Sequence, residues 1–372
     1  MLSKLTILFA GIPILSMCAT QAKYFVYVGT YGKGVYAYSF DTDNAKLQSI
    51  GLAGEVVNPS FLATDRDYRY LYAVSEVEGR VNGAVAGFAI DRSTGALRFL
   101  NSQSSGGQSP CHVTVDHTGR MLIVANYGTG GVSAYPIERD GHIGAMSSLM
   151  TAEGSSVNPQ RQKGPHAHEA VIEADNRRVY VPDLGLDEIR IYRLDPEHAK
   201  LLPNEPPFAK EQAGFGPRHM AFSPNGKYAY VVNELNPKVT VFSHNKADGS
   251  MHPVQTISTV PEGFSGESDP AEIRIDREGK FVYATNRGPG TVAVFAVNQN
   301  DGTLKQVQVA PTGGTVPRGF QLDPTGKFAF AGDQKSNEFV IFRIDPHSGK
   351  LTLTGQKLEV SSPVDFLFIP AK

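Results

Sequence analysis

The sequence predicts an all-β protein, a seven-bladed β-propeller whose first blade is closed by the C-terminal strand. Three observations predict it. A unit of two apolar strands joined by a D-x-x-G type turn recurs about every 50 residues. Its seventh copy is divided between the two ends of the chain. The strands themselves, such as "MLIVA" and "YAYVV", are continuously apolar rather than alternating, as in sheets covered on both faces by neighbours.

From the N-terminus, Met1 to Lys4 forms a short positive region and "LTILFAGIPIL" (Leu5 to Leu15) an apolar one, interrupted by Gly11 and Pro13 and too short to span a bilayer. This predicts an export signal over residues 1–22, a mature domain over 23–372, and a periplasmic or secreted location. The competing reading is an apolar first strand of a cytoplasmic protein. "LSMCAT" offers Cys18 as a candidate lipid acceptor, although Met17 is larger than the small residue such a signal carries before its cysteine. Cleavage would leave Cys111 without an intramolecular partner, so stability has to come from packing.

The first unit after the leader, "KYFVYVGTYGKGVYAYSF" from Lys23, starts at the second strand of the repeat. Full copies follow as "NPSFLATDRDYRYLYAVSE", "SPCHVTVDHTGRMLIVANY", "GPHAHEAVIEADNRRVYVPDL", "GPRHMAFSPNGKYAYVVNE", "DPAEIRIDREGKFVYATNR" and "VPRGFQLDPTGKFAFAGDQ". The chain ends in "SPVDFLFIPAK", a first strand with nothing after it, which completes the N-terminal blade and leaves no open sheet edge. Whole-chain periodicity argues against stacked sandwiches, and the absence of tryptophan against WD-type repeats.

With 35 Lys and Arg against 37 Asp and Glu and no basic run, the chain excludes nucleic acid as a partner. Hairpin counting about the Asn225-Gly226 turn makes His219 and Asn233 cross-strand neighbours. The same counting sends His166 and His168, Arg218, Glu234, Glu272, Arg287 and Arg318 to one mouth of the central channel, the expected site. The small polar residues ending each second strand (Thr30, Ser75, Asn126, Asp183, Asn233, Asn286, Asp333) recur too regularly to be chemical and read as caps of turn backbone. The charges that vary from copy to copy are the functional candidates. They suit either an anionic, oxygen-rich ligand gripped by arginines or a structural ion-pair network. A metal held by His166, His168 and His219 is the third reading, disfavoured by three nearby arginines.

"KGPHAHEAV", "GPRHMAFSPNGKYAYVVNELN", "DPAEIRIDREGKFVYATNR" and "VPRGFQLDPTGKFAFAGDQKS" resemble the seven-bladed lactonase family, which includes propeller-type 6-phosphogluconolactonases and fungal carboxymuconate cycloisomerases. The resemblance runs from Tyr24 to Pro370. It implies a lactone-opening hydrolase that needs no metal or other cofactor, with His166, Arg218, Glu234 and Arg287 in the catalytic positions. It further implies contacts from Arg318 and Lys335 toward a phosphate and leaves His168 as an alternative to His166, while His219 and Glu272, sent to the same mouth by hairpin counting, complete the expected substrate contacts. An exported enzyme would rarely meet sugar phosphates, so an unphosphorylated aldonolactone is expected. Glu234 or a histidine takes the proton of water in this scheme. The alternatives are a muconate-type cycloisomerase and a non-catalytic binding propeller.

Overall fold

The computed structural model describes residues 24–372 apart from 78, 80 and 81. The expected leader over residues 1–22, with Cys18, lies outside the described residues. Among the described residues every regular element is a strand, and no helix is long and apolar enough to cross a membrane.

The strands form seven four-stranded antiparallel sheets. Each runs outward from a strand at the central channel: Leu62–Thr64, Pro110–Val115, Val171–Ile172, Pro217–Phe222, Pro270–Ile275, Pro317–Leu322 and Pro363–Pro370. The blades are numbered one to seven from the N-terminus, blade one being the split copy. There the C-terminal strand pairs with Tyr24–Thr30, from Tyr24 opposite Pro370 to Thr30 opposite Pro363.

Seven buried apolar clusters hold the ring together, one between each pair of successive blades. The cluster of Val26, Phe40, Phe330 and Phe339 joins blade seven to blade one, with rings meeting edge-on at 5.2–5.3 Å. This explains the strand composition. Second strands such as Met121–Asn126 and Phe328–Asp333 are buried at every position because both faces meet a neighbouring blade. Outer strands such as Leu351–Glu359 are mostly open to solvent and alternate.

The recurrent aspartate fixes the far turns. Asp116 Oδ1 accepts the N–H groups of Arg120 and Met121, and Asp276 Oδ1 those of Lys280 and Phe281. Each such turn needs a residue in the left-handed region. Gly119 and Gly279 supply it with φ of 72° and 71°, at no steric cost.

The polar column behaves as capping groups. Thr30 Oγ1 donates to Gly34 O, Ser75 Oγ to Val57 O, and Asn126 Nδ2 to Ser105 O. Asp183 Oδ1 accepts the N–H groups of His166 and Gly185.

Candidate functional site at the channel mouth

The register expected for blade five needs one correction. Asn233 pairs with Pro217, not with His219, which faces Val232. The shift leaves Arg218 as an extra residue outside the ladder. The same irregularity follows the opening proline in blades three, six and seven, displacing Cys111, Ala271 with Glu272, and Arg318. Proline has no N–H to give the ladder, so a bulge directly after it costs little pairing and turns the next side chain into the channel.

A second correction concerns depth. The expected single rim is two layers. The upper layer is built on Glu234, whose side chain is 6% exposed. Glu234 Oε1 accepts from Arg161 Nη2 at 2.5 Å, and its Oε2 from Arg218 Nε at 2.9 Å, with Arg287 Nη2 also 2.9 Å away. His168 Nε2 stands 4.0 Å from Oε2. Burial alone would raise the Glu234 carboxyl, but Arg287 and Arg218 outweigh it and hold the group well below the usual carboxylate range. Burial and the repulsion of Arg318 and Arg287 bring Arg218 down to about 10. Beside this cluster Arg318 Nη2 donates to the Tyr31 hydroxyl at 2.7 Å and lies 3.9 Å from Glu76 Oε1. Ser60 Oγ donates to Glu76 Oε2. Half-buried His166 stacks on Tyr127, with ring centres 4.6 Å apart and its Nδ1 2.8 Å from the Tyr127 carbonyl.

The lower layer holds His219 and Glu272, expected at the rim. His219 Nδ1 lies 3.0 Å from Glu272 Oε1 and 3.8 Å from Glu169 Oε1. Glu272 Oε1 also accepts from Ile273 N–H at 2.9 Å and Arg274 Nη1 at 2.5 Å. His112 Nε2 is 3.6 Å from Glu169 Oε1, and Asp365 Oδ2 accepts the Leu62 N–H. Burial and the charge of Glu272 push Glu169 up to about 8, and burial raises Asp365 to about 7. His112, His168 and His219 are all driven well below their ordinary value, first by burial. Burial likewise pushes the Cys111 thiol up, so it is a poor nucleophile.

The layers differ in charge, the upper one being cationic. Above, the guanidinium groups of Arg161, Arg218, Arg287 and Arg318 face the carboxylates of Glu234 and Glu76. Below, Arg274 alone faces Glu169, Glu272 and Asp365. The upper mouth therefore presents net positive charge to an entering ligand. A cavity of about 420 Å³ opens on the side of the lower layer, bounded by Phe61, Val115, Ile172, Glu169 and Arg274.

Lys335 does not join either layer; it is exposed, on the turn after Asp333. The trio His166, His168 and His219 does not converge, because His166 is turned to Tyr127. Glu169, His219 and Glu272 instead bring one ligating atom each within 4.8 Å of one another, but the cationic place beside them is taken by Arg274.

Several participants escaped the sequence reading, Asp365 of the C-terminal strand among them. Arg161 comes from the long segment ahead of blade four, outside the repeat. Glu76 follows Ser75 as Glu234 follows Asn233, so the acidic residue is not unique to one copy. His112 occupies in "SPCH" the place of His219 in "GPRH", and Arg274 stands two residues after Glu272, at the spacing that returns a strand to the same face. Glu169 gave no such signal.

Together, the ring of seven sheets and the arginine-rich channel mouth define a β-propeller with a candidate small-molecule site at one end. The chain belongs to the family described as lactonase, 7-bladed beta-propeller, which matches residues 25–368. It is 36% identical over 353 residues to a 6-phosphogluconolactonase of Bacillus subtilis, covering 94% of this chain and 99% of that protein. It is 32% identical to one of Klebsiella pneumoniae, over 87% and 91% of the two chains. A solved structure described as the periplasmic gluconolactonase of Pseudomonas aeruginosa superposes with a TM-score of 0.89 at 32% identity, covering 94% of this chain and 99% of that one.

Proposed function

We propose that the protein hydrolyses a sugar lactone to its aldonic acid at the positively charged mouth. The observation that carries this reading is the buried Glu234 carboxylate, which gathers Arg161, Arg218 and Arg287 around one point. Arg218 and Arg287 are the groups that stabilise the oxyanion formed when water adds to the lactone carbonyl and that hold the substrate's hydroxyl or anionic groups. Glu234, bound to three guanidinium groups and held ionised, orients them; it is a weak base. His166 or His168 protonates the leaving ring oxygen. Arg318, above Tyr31, is the further cation offered to a substrate phosphate, while Lys335 is exposed on its turn.

The natural substrate in this reading is an unphosphorylated aldonolactone met outside the cytoplasm. Its support is the leader-like segment Leu5 to Leu15 and the likeness to a gluconolactonase described as periplasmic. The test is a chelator-controlled comparison of D-glucono-1,5-lactone and its 6-phosphate, corrected for spontaneous opening. Chelator-resistant turnover of the unphosphorylated lactone at equal or higher kcat/KM supports the reading. No turnover of either lactone overturns it in favour of a binding propeller.

A further inference from the structure

His219 and Glu272 form a buried pair beneath the arginine cluster, and the tautomer of the histidine follows from its partners. Glu272 Oε1 already accepts hydrogens from Ile273 and Arg274, so His219 Nδ1 must be the donor in their 3.0 Å contact. That leaves Nε2 as a bare acceptor, and it is buried without a hydrogen-bond partner. The same ring bounds a pocket between the two layers, shared with Ser60, Cys111, His168, Arg218 and Arg318. It leaves about 10 Å³ for a water centre, the room that a single water needs. A polar pocket of that size, with one unmatched acceptor in its wall and guanidinium groups above, is suited to one water.

We infer that His219 is the general base of the hydrolysis, with its Nε2 receiving the proton of a water held in this pocket and Glu272 as its positioning residue. The inference rests on the lactonase reading and supplies the proton acceptor that Glu234 cannot be. The water's O–H bond breaks as its proton passes to His219 Nε2. Its oxygen forms a bond to the lactone carbonyl carbon, and the C=O electron pair moves onto the carbonyl oxygen beside Arg218. When the tetrahedral centre collapses, the bond to the ring oxygen breaks. That oxygen takes up the proton that His219 received, relayed by His168, whose ring centre lies 5.1 Å from that of His219 and which accepts on one ring nitrogen as it gives up the hydrogen of the other, so that both rings end neutral. The sum is lactone plus water giving a hydroxy acid, which releases its proton to solvent as the aldonate. Burial and the charges of Arg218 and Arg274 keep His219 neutral, hence able to accept. Glu272 stabilises the imidazolium when it forms.

The test uses the mature protein and D-glucono-1,5-lactone. His219→Gln should lower kcat by about 10²- to 10⁴-fold, the range for loss of a general base, with KM nearly unchanged. Glu272→Gln should lower kcat in the same direction and Glu272→Asp should restore part of it, a pattern that a merely structural carboxylate would not give. Should His219→Gln fail to melt cooperatively, the Glu272 pair and the solvent isotope effect on wild-type kcat decide. Retention of kcat within about threefold in His219→Gln, or in Glu272→Gln together with no isotope effect, overturns the assignment. Failure of the wild type on the lactone is a separate result, which removes the lactonase reading and the base with it.

Discussion

At the scale of single residues, Glu234 and Glu169 show how one buried channel keeps one carboxyl ionised and another protonated. Glu234 has three guanidinium partners, and replacing it leaves the buried charge of Arg218 and the mostly buried charge of Arg287 without a carboxylate. Glu234→Gln should destabilise the fold by about 3–5 kcal/mol and abolish most turnover, read by denaturant unfolding and lactone assays. Arg218→Ala should cost about 10²- to 10³-fold in kcat through the lost oxyanion donor, measured against a folded control. Glu169 works in the opposite sense. Its folded value, about 8, lies above the ordinary glutamate value, so its contribution is greatest at low pH and is lost as pH rises through about 8. Asp365, raised to about 7, acts in the same direction. The melting temperature should therefore fall between about pH 6.5 and pH 8.5, above the range in which His112, His168 and His219, neutral in the fold, take up protons in the unfolded chain and act in the opposite sense. Glu169→Gln should flatten that fall; an unchanged pH dependence would refute the assignment.

At the scale of elements, the strand Pro363–Pro370 decides whether the ring closes. It covers the edge of Tyr24–Thr30 and contributes Phe366 and Phe368 to the cluster joining blade seven to blade one. Deleting residues 363–372 should abolish cooperative thermal unfolding, because an edge strand and an aromatic cluster are exposed together. A circular permutant of residues 24–372, its ends joined by a short linker and reopened in the exposed segment 261–267, should keep its transition, since Tyr24 and Pro370 are already paired. Differential scanning calorimetry of the two distinguishes strand pairing from chain order. The repeat unit, turn aspartates and split blade were all legible in the sequence because each copy repeats the same local requirements. The bulges were not. Whether Pro217 is followed by a regular pair or by a displaced Arg218 depends on the channel receiving that side chain, and hairpin counting carries no such information.

At the scale of the whole molecule, the channel is a polar axis inside an apolar ring, positive at one mouth and lined in the middle by carboxyls that burial shifts toward their protonated form. An anionic product should be held by the upper layer. Gluconate should inhibit competitively, with an inhibition constant that rises as salt is increased toward roughly 1 M, because screening weakens exposed and half-buried charge contacts first. Initial-rate measurements at several ionic strengths check it; an inhibition constant insensitive to salt would refute the electrostatic account. Similarity to relatives over nearly the whole chain is consistent with the shared frame, while the substrate depends on the few side chains at its axis.

The amino-acid sequence by itself determined the number of blades and the closure by the C-terminal strand, because periodicity and turn chemistry are local properties, and it brought forward His166, Arg218, Glu234 and Arg287, with His168 beside them, as candidates for the channel mouth. Only the tertiary structure decided that His219 and Glu272 lie a layer below that set, that Arg161 reaches Glu234 from outside the repeat, and that His112 and Glu169 complete the acidic layer. Those placements arise where seven inner strands converge on one axis. There the neighbours of a side chain come from other blades, at sequence separations that no local pattern records.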